Sequence, residues 1–369
     1  MAVIRAGAFQ NFAASDKELL QAAAQILDVP PERLELRRKG KTAAVQRVKG
    51  NTIMKFLKWP SVENAYRKKF IAVFLDEFPE LTQVEYVITE KLHGANLQLA
   101  FAPGEPMCVG TRKRFLGKDV LGNDEKFYNV HNVLQRDDYQ EICAALEQTA
   151  VIYPIRLFGE LFGGKVQKGV DYGREQRILF FGLMIGDELQ PFSALEQLTV
   201  DIPILQSYLV PVLSVEKALQ DAIDFDCNLI TRAGMLRQDN IMEGIVIQPY
   251  RRVYRNAGGH TFLLKKKNEA FKEKQKVKRT PTPEDSEAAR LNMEFRAYLT
   301  SARLQAVFSK YGEIEEPHQI GEYIRYMLAD AKQDFLKDWG DAFDALDEKG
   351  QKQVLNVGSA VAKMLQEAL

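Results

Sequence analysis

Glu85-Tyr86-Val87-Ile88-Thr89-Glu90-Lys91-Leu92-His93-Gly94-Ala95-Asn96-Leu97-Gln98-Leu99 is the stretch on which the fold turns. Both of its halves alternate apolar with polar or small side chains and are rich in β-branched and aromatic residues, the pattern of strands. Between them Leu92-His93-Gly94 reads as a tight turn, with Gly94 supplying backbone freedom. A lysine held between strands, beside a glycine that lets a ligand approach, is placed to act as a covalent nucleophile. That role requires its amine to lose a proton near neutral pH, which burial and nearby cations favour. A merely solvated turn lysine is the plainer alternative.

Outward from this segment, residues 53–271 read as short strands separated by turns, with two or three helices. The strand segments fall at 85–89, 96–101, 150–157, 177–184, 244–248 and 261–264. Upstream, residues 15–27 carry a helical pattern: Ser15 or Asp16 caps it, Leu19, Leu20, Ala23, Ile26 and Leu27 share a face, and Pro30-Pro31 ends it. Arg37, Arg38, Lys39, Lys41, Arg47 and Lys49 follow with no acid between 37 and 49, either a solvated ribbon or an arm for phosphates. Downstream comes a basic connector, Lys272, Lys274, Lys276, Lys278 and Arg279. Thr282-Pro283-Glu284-Asp285 then reads as an N-cap, a proline at the first helical position and acids in the first turn. From there to Leu369 the pattern is helical. The expectation is an α+β chain: an extension over 1–52, antiparallel sheets with flanking helices over 53–280, and an all-helical domain over 281–369.

Composition narrows the class. The chain has 369 residues, with 50 Lys+Arg balanced by 50 Asp+Glu, and is 46% hydrophobic and 27% charged, which fits a globular protein and not a disordered one. Its longest strongly apolar run, 178–185, is far short of the roughly 20 residues of a membrane span. The first residues lack a basic segment followed by an apolar one, so a cytoplasmic protein is expected. Three scattered cysteines (Cys108, Cys143, Cys227) and four scattered histidines (His93, His131, His260, His318) exclude a disulfide framework and a Cys/His metal cage. A neutral total leaves room for local basic patches that bind nucleic acid.

Further segments carry chemistry. Gly110-Thr111-Arg112-Lys113-Arg114 could meet sugar or phosphate, or simply end a hairpin. Leu157-Phe158-Gly159-Glu160-Leu161-Phe162-Gly163-Gly164 closes an apolar strand with an acid among glycines, and Met242-Glu243-Gly244 sets a carboxylate at a strand's start. In Leu263-Leu264-Lys265-Lys266-Lys267-Asn268, alternation puts Lys265 and Lys267 on one face and Lys266 on the other, an arrangement suited to phosphates.

Taken in order, Lys-x-x-Gly, Arg, Phe-Gly-Glu, an aromatic strand, Glu-Gly and Lys-x-Lys resemble the motif series of the covalent nucleotidyltransferases, which include ATP- and NAD-dependent ligases and GTP-dependent capping enzymes. Within that superfamily the chain most resembles the RNA ligase 2-like family, the nick-sealing RNA ligases of T-even phages and their relatives in kinetoplastid mitochondria. The likeness extends to residues 59–70, to Lys168-Gly-Val-Asp-Tyr172 and to Ser309-Lys-Tyr-Gly-Glu-Ile314. It covers roughly residue 54 to the C-terminus and leaves the first 50 or so outside. It implies an adenylation domain followed by a helical one, and an ATP-dependent RNA ligase joining 3′-OH and 5′-phosphate ends at nicks in RNA or RNA/DNA duplexes, as a monomer. By the same resemblance Lys91 attacks the α-phosphorus and Glu90 recognises adenine, with Phe181 stacked on it. Arg112 and Glu160 hold the ribose region, and Asn96 belongs to the nucleotide site. Glu160 and Glu243 order water on Mg2+ or Mn2+, Lys265 and Lys267 grip phosphates, and His93 lies near the triphosphate. Arg303, Asp330 and Asp334 are implied as RNA contacts, the two acids sharing a helix face. Gln248 departs from the family's pattern, which has a lysine there. Trp59 and Trp339 read as packing residues. A DNA ligase or capping enzyme is the alternative, opposed by His93, where those relatives usually carry Asp, and by the helical tail. A non-catalytic RNA-binding protein is the other.

Overall fold

The computed structural model describes residues 34–39, 42–47 and 54–368, apart from 104, 118–124, 151–153, 236, 273–281, 283–284, 313 and 315. The helix read at 15–27 and the basic connector beyond Lys272 lie outside the described residues. Strands β1 (Leu34–Lys39) and β2 (Thr42–Arg47) form a separate antiparallel hairpin, the shape taken by most of the basic run at 37–49.

Two five-stranded sheets follow. The first runs β10 (Val212–Glu216), β4 (Tyr86–Lys91), β11 (Gly244–Pro249), β12 (Leu264–Lys267), β3 (Glu63–Asn64), antiparallel except for the β12–β3 pair. The second runs β6 (Cys108–Thr111), β5 (Ala95–Phe101), β7 (Ile155–Gly163), β8 (Gln176–Ile185), β9 (Glu188–Leu189), antiparallel throughout. The turn at Leu92–Gly94 therefore joins no hairpin. It passes the chain from one sheet into the other. Gly94 is needed there because a Cβ would lie 2.3 Å from the Leu161 carbonyl oxygen, so the glycine is set by close approach to β7.

Both faces of the first sheet are covered, which is why Tyr86, Val87 and Ile88 are all buried in succession. Tyr86 and Ile88 join Ile245, Ile247, Leu264, Phe74 and Phe262 in one core, while Val87 faces the larger core between the sheets with Leu97, Leu157, Phe162 and Phe180. At roughly 1.5–3 kcal/mol for each buried large apolar side chain, these two cores fix strand register firmly, since a one-residue slip would swap every face.

Three boundaries differ from the sequence reading. The strand expected at 150–157 begins at Ile155, because Ala150 still bonds back to Leu146 as the cap of the Asp137–Thr149 helix. The strand expected at 261–264 is displaced to Leu264–Lys267, where pairing with β11 starts. The first C-terminal helix starts at Glu287, not beside Pro283. Asp285 closes a turn by accepting from the Thr282 amide and hydroxyl (2.7 and 3.0 Å), and Ser286 caps the helix by accepting from the Ala289 amide.

Beyond β12 the described residues form no strand. Helices Glu287–Arg296, Ser301–Tyr311, Ile320–Asp344, Glu348–Val354 and Gly358–Ala368 enclose their own cores, one around Phe295, Tyr298 and Phe335, another around Leu304, Val307, Tyr323 and Met327. This helical unit rests against the sheets: Tyr128 donates to the Phe308 carbonyl (3.2 Å) and Gln167 to the Gln305 carbonyl (3.0 Å).

Candidate active site

A cavity of about 490 Å³ opens where the two sheets and the helical unit meet. Three neighbouring strands put Lys91, Gly244 and Lys267 side by side in register. Gly244 leaves the gap between the lysines clear, and a Cβ there would fall 2.1 Å from the Lys266 carbonyl oxygen. Glu243, one residue earlier and 3% exposed, fills that gap. Its Oε2 lies 2.8 Å from Lys91 Nζ and its Oε1 2.8 Å from Lys267 Nζ. His93 Nδ1 stands 3.4 Å from the same Oε2. Burial alone would raise the Glu243 pKa, but Lys267, Lys91 and His93 together outweigh it and hold this carboxylate well below the usual range.

His93 is oriented by groups that sequence reasoning did not assign to the site. Its backbone N–H donates to the Tyr172 hydroxyl (2.9 Å), and Nε2 faces the Lys168 carbonyl at 3.0 Å. A carbonyl only accepts, so Nε2 donates to it, while Nδ1 faces Glu243 across the ring. The signal was present in Lys168-Gly-Val-Asp-Tyr172, quoted for its likeness but given no role.

The second sheet contributes the opposite wall. Asn96 and Glu160, directly paired between β5 and β7, line the cavity with Arg112 and Phe181. Phe181 is held edge-on by Trp59 (5.2 Å, 77°), which is 6% exposed and also packs on Phe158, as a packing residue should. Gly182 makes that possible, since a Cβ would lie 2.1 Å from the Trp59 ring.

Glu160 has its pKa pushed up to about 7 by burial, with Lys91 opposing, Glu243 adding, and Arg112 and the Gly94 amide opposing. The consequence has a definite sign. A carboxyl whose folded pKa exceeds its ordinary 4.5 holds its proton more tightly in the native state, so its contribution to stability is full below that value and is lost as pH rises through about 7. Glu160→Gln is therefore expected to flatten the fall in unfolding free energy between pH 5 and pH 8. Urea unfolding across that range checks this, and parallel slopes for variant and wild type would refute it.

Alternation divides the remaining residues. Lys265 and Lys267 both line the cavity, while Lys266 crosses to the other face and donates to the Ile223 and Phe225 carbonyls (3.0 and 2.8 Å), at the end of the Leu219–Asp224 helix. Glu90 also lines the cavity, although alternation turns its side chain to the other face of β4 from Lys91. It is 2% exposed, and its carboxylate accepts from the Thr231 hydroxyl and, at 2.8 Å, from the Arg232 amide. Its side chain thus ties down the 231–232 turn. Gln248 and Val246 complete the floor of the cavity.

The residues expected to contact RNA are arranged differently. Arg303 is 1% exposed and donates from Nη1 to Asp330 (2.6 Å), from Nη2 to Asp334 (2.9 Å) and from Nε to the Tyr298 carbonyl (2.9 Å). In this structure Arg303 is the hub of an ion-pair cluster between two helices. Asp330 and Asp334, with Lys310 and Lys337, form the helical wall of the cavity, a contribution the sequence did not reveal.

Two largely antiparallel sheets meeting at an embedded Lys-x-x-Gly lysine define a nucleotidyltransferase fold. Residues 84–267 match the family described as RNA ligase, and residues 282–363 match the T4 RNA ligase 2 C-terminal family. The two matches cover more than two thirds of the chain, which belongs to the RNA ligase 2-like family. Among solved structures it is similar to an apo form of a Naegleria gruberi RNA ligase mutant (15% identity over 58% of this chain and 56% of that one, TM-score 0.42). It is also similar to mutants of that ligase with ATP and Mn (13%, 71% and 68%, 0.42) and with AMP and Mn (14%, 71% and 68%, 0.41). The chain spans 56% of the length of that apo form and 60% of the length of a second apo mutant of the same ligase. No helix among the described residues is long and apolar enough to cross a membrane.

Proposed function

We propose that this protein is an ATP-dependent RNA ligase that seals 3′-OH and 5′-phosphate ends at nicks in duplexes, through an AMP carried on Lys91. The observation that carries this reading is the Lys91 amine, 2.8 Å from Glu243 in a cavity that also holds Lys265, Lys267, Glu160, Arg112 and Phe181. Phe181 offers an apolar face for a base, Arg112 and Glu160 stand where a ribose can be gripped, and Lys265 and Lys267 supply charge for phosphates. Lys91 Nζ, having released its proton, bonds to the α-phosphorus while the bond to pyrophosphate breaks. Glu243, held ionised, orients the amine. AMP then passes to the RNA 5′-phosphate, Lys91 regains its proton, and attack of the 3′-OH expels AMP. Such transfers are driven by positioning and electrostatics.

Among the described residues no group of three His, Cys, Asp or Glu could hold a metal. Two carboxylates on one cavity suit Mg2+ or Mn2+, hard ions that keep most ligands as water, and Glu160 and Glu243 would hold it. Such an ion supplies charge stabilisation on the phosphate oxygens.

Labelled nucleotide with Mg2+, followed by a denaturing gel, tests the reading. Label is expected to remain on the protein from ATP and not from GTP, and nicks with an RNA 3′-OH should seal faster than all-DNA nicks. Label from GTP would favour a capping-type enzyme, no label with any divalent metal a binding protein, and equal sealing rates would refute the RNA preference.

A further inference from the structure

β3 is an edge strand of two residues, yet it holds β12 through main-chain bonds on both sides of the phosphate lysine: the Glu63 amide donates to the Leu263 carbonyl (2.8 Å) and the Ala65 amide to the Lys265 carbonyl (2.9 Å). So short a strand gains little from its own ladder. Side-chain charges hold it instead. Glu63 pairs with Arg67 Nε (3.2 Å) and with Lys337 Nζ (3.3 Å), and Arg67 Nη2 pairs with Asp338 Oδ1 (2.8 Å), while Asp338 Oδ2 accepts from the Tyr298 hydroxyl. Lys337 and Asp338 belong to the long helix Ile320–Asp344, so the network joins the helical unit to the sheet edge beside Lys265. Glu63 and Arg67 are only 13% and 15% exposed, which shelters their charges from salt. Glu63, Arg67 and Asp338 do not line the nucleotide cavity; Arg67 and Asp338 line an adjoining one that shares Lys265 and Lys267 with it.

Resting on the ligase reading, we infer that Glu63, Arg67 and Asp338 are positioning residues: a charged clasp through which docking of the helical unit sets Lys265 and Lys267 for phosphate binding. The same helix brings Asp334 and Lys337 to the cavity, so clasping completes the phosphate wall as it aligns β12. The helical unit thereby acts on nucleotide capture as well as on RNA.

The test is the rate of Lys91 labelling against ATP concentration in full-length wild type, Arg67→Gln, Asp338→Asn, the double variant and Arg67→Lys. Each single neutral variant should raise the half-saturating ATP concentration about tenfold, with the maximal rate within about twofold, and the double should be no worse than either single, because both break one contact. Arg67→Lys keeps the charge and should recover part of the affinity. A clasp that only staples the fold would lower the melting temperature and leave ATP half-saturation unchanged. That result, or single effects that multiply in the double, overturns the inference. Wild-type protein that takes no label from ATP refutes the ligase reading itself.

Discussion

Lys91→Ala is expected to take no label from ATP, a loss of at least about 10⁴-fold of the kind seen when a covalent nucleophile is removed. Lys91→Arg should do no better, because a guanidinium stays protonated and cannot attack phosphorus. The candidate substitute is Lys267, across Gly244, but its Nζ is held 2.8 Å from the far oxygen of Glu243 and does not occupy the Lys91 position. The variant should fold, since Glu243 keeps Lys267 and His93 as partners. It should also still seal a nick whose 5′ end already carries AMP, because the remaining step needs only the 3′-OH and expulsion of AMP. Labelled ATP on a denaturing gel checks the first statement and a pre-adenylated nicked duplex the second. Normal labelling of Lys91→Ala would remove the basis of the proposed function.

The parts of this site that follow from short-range pattern were legible before any coordinates. Period-two alternation placed Lys265 and Lys267 together and sent Lys266 away, and the structure has Lys266 capping a helix on the far face. The same parity separates the Glu90 and Lys91 side chains, and its consequence is visible only in the fold: the Glu90 carboxylate is taken by Thr231 and the Arg232 amide, 141 and 142 residues away. Partners that distant leave no local mark. The turn at Leu92–Gly94 shows the same limit. Its residues allow a hairpin or a crossing between sheets, and the choice rests on β7 approaching Gly94, which no pattern within 85–99 encodes. The helical wall was hidden for a further reason. Asp330, Asp334 and Lys337 have the spacing of an ordinary solvated helix face, and only tertiary docking gives them a cavity to line.

Arg303→Ala is expected to destabilise the helical unit by about 3 kcal/mol, the low end of the cost of breaking a buried ion pair. Its guanidinium satisfies two carboxylates and two backbone carbonyls at once, and removing it takes a partner from each of the four. The low end applies because Asp330 and Asp334 keep Lys310 and Lys337 and are 15% and 25% exposed. Arg303→Lys should lose about half as much, since an ammonium is a point charge that cannot fork between two acids. The two tryptophans allow a direct measurement: Trp339 lies in the helical unit and Trp59 among the sheets, so urea unfolding followed by fluorescence in a Trp59→Phe background reports the helical unit alone. The urea midpoint should fall with little change in slope. If Arg303 instead met RNA directly, the midpoint would stay in place while RNA affinity fell and its salt dependence weakened by about one phosphate contact. The two roles thus give opposite patterns in two simple measurements, and the expected fall in midpoint follows from the ion pairs that Arg303 makes with Asp330 and Asp334.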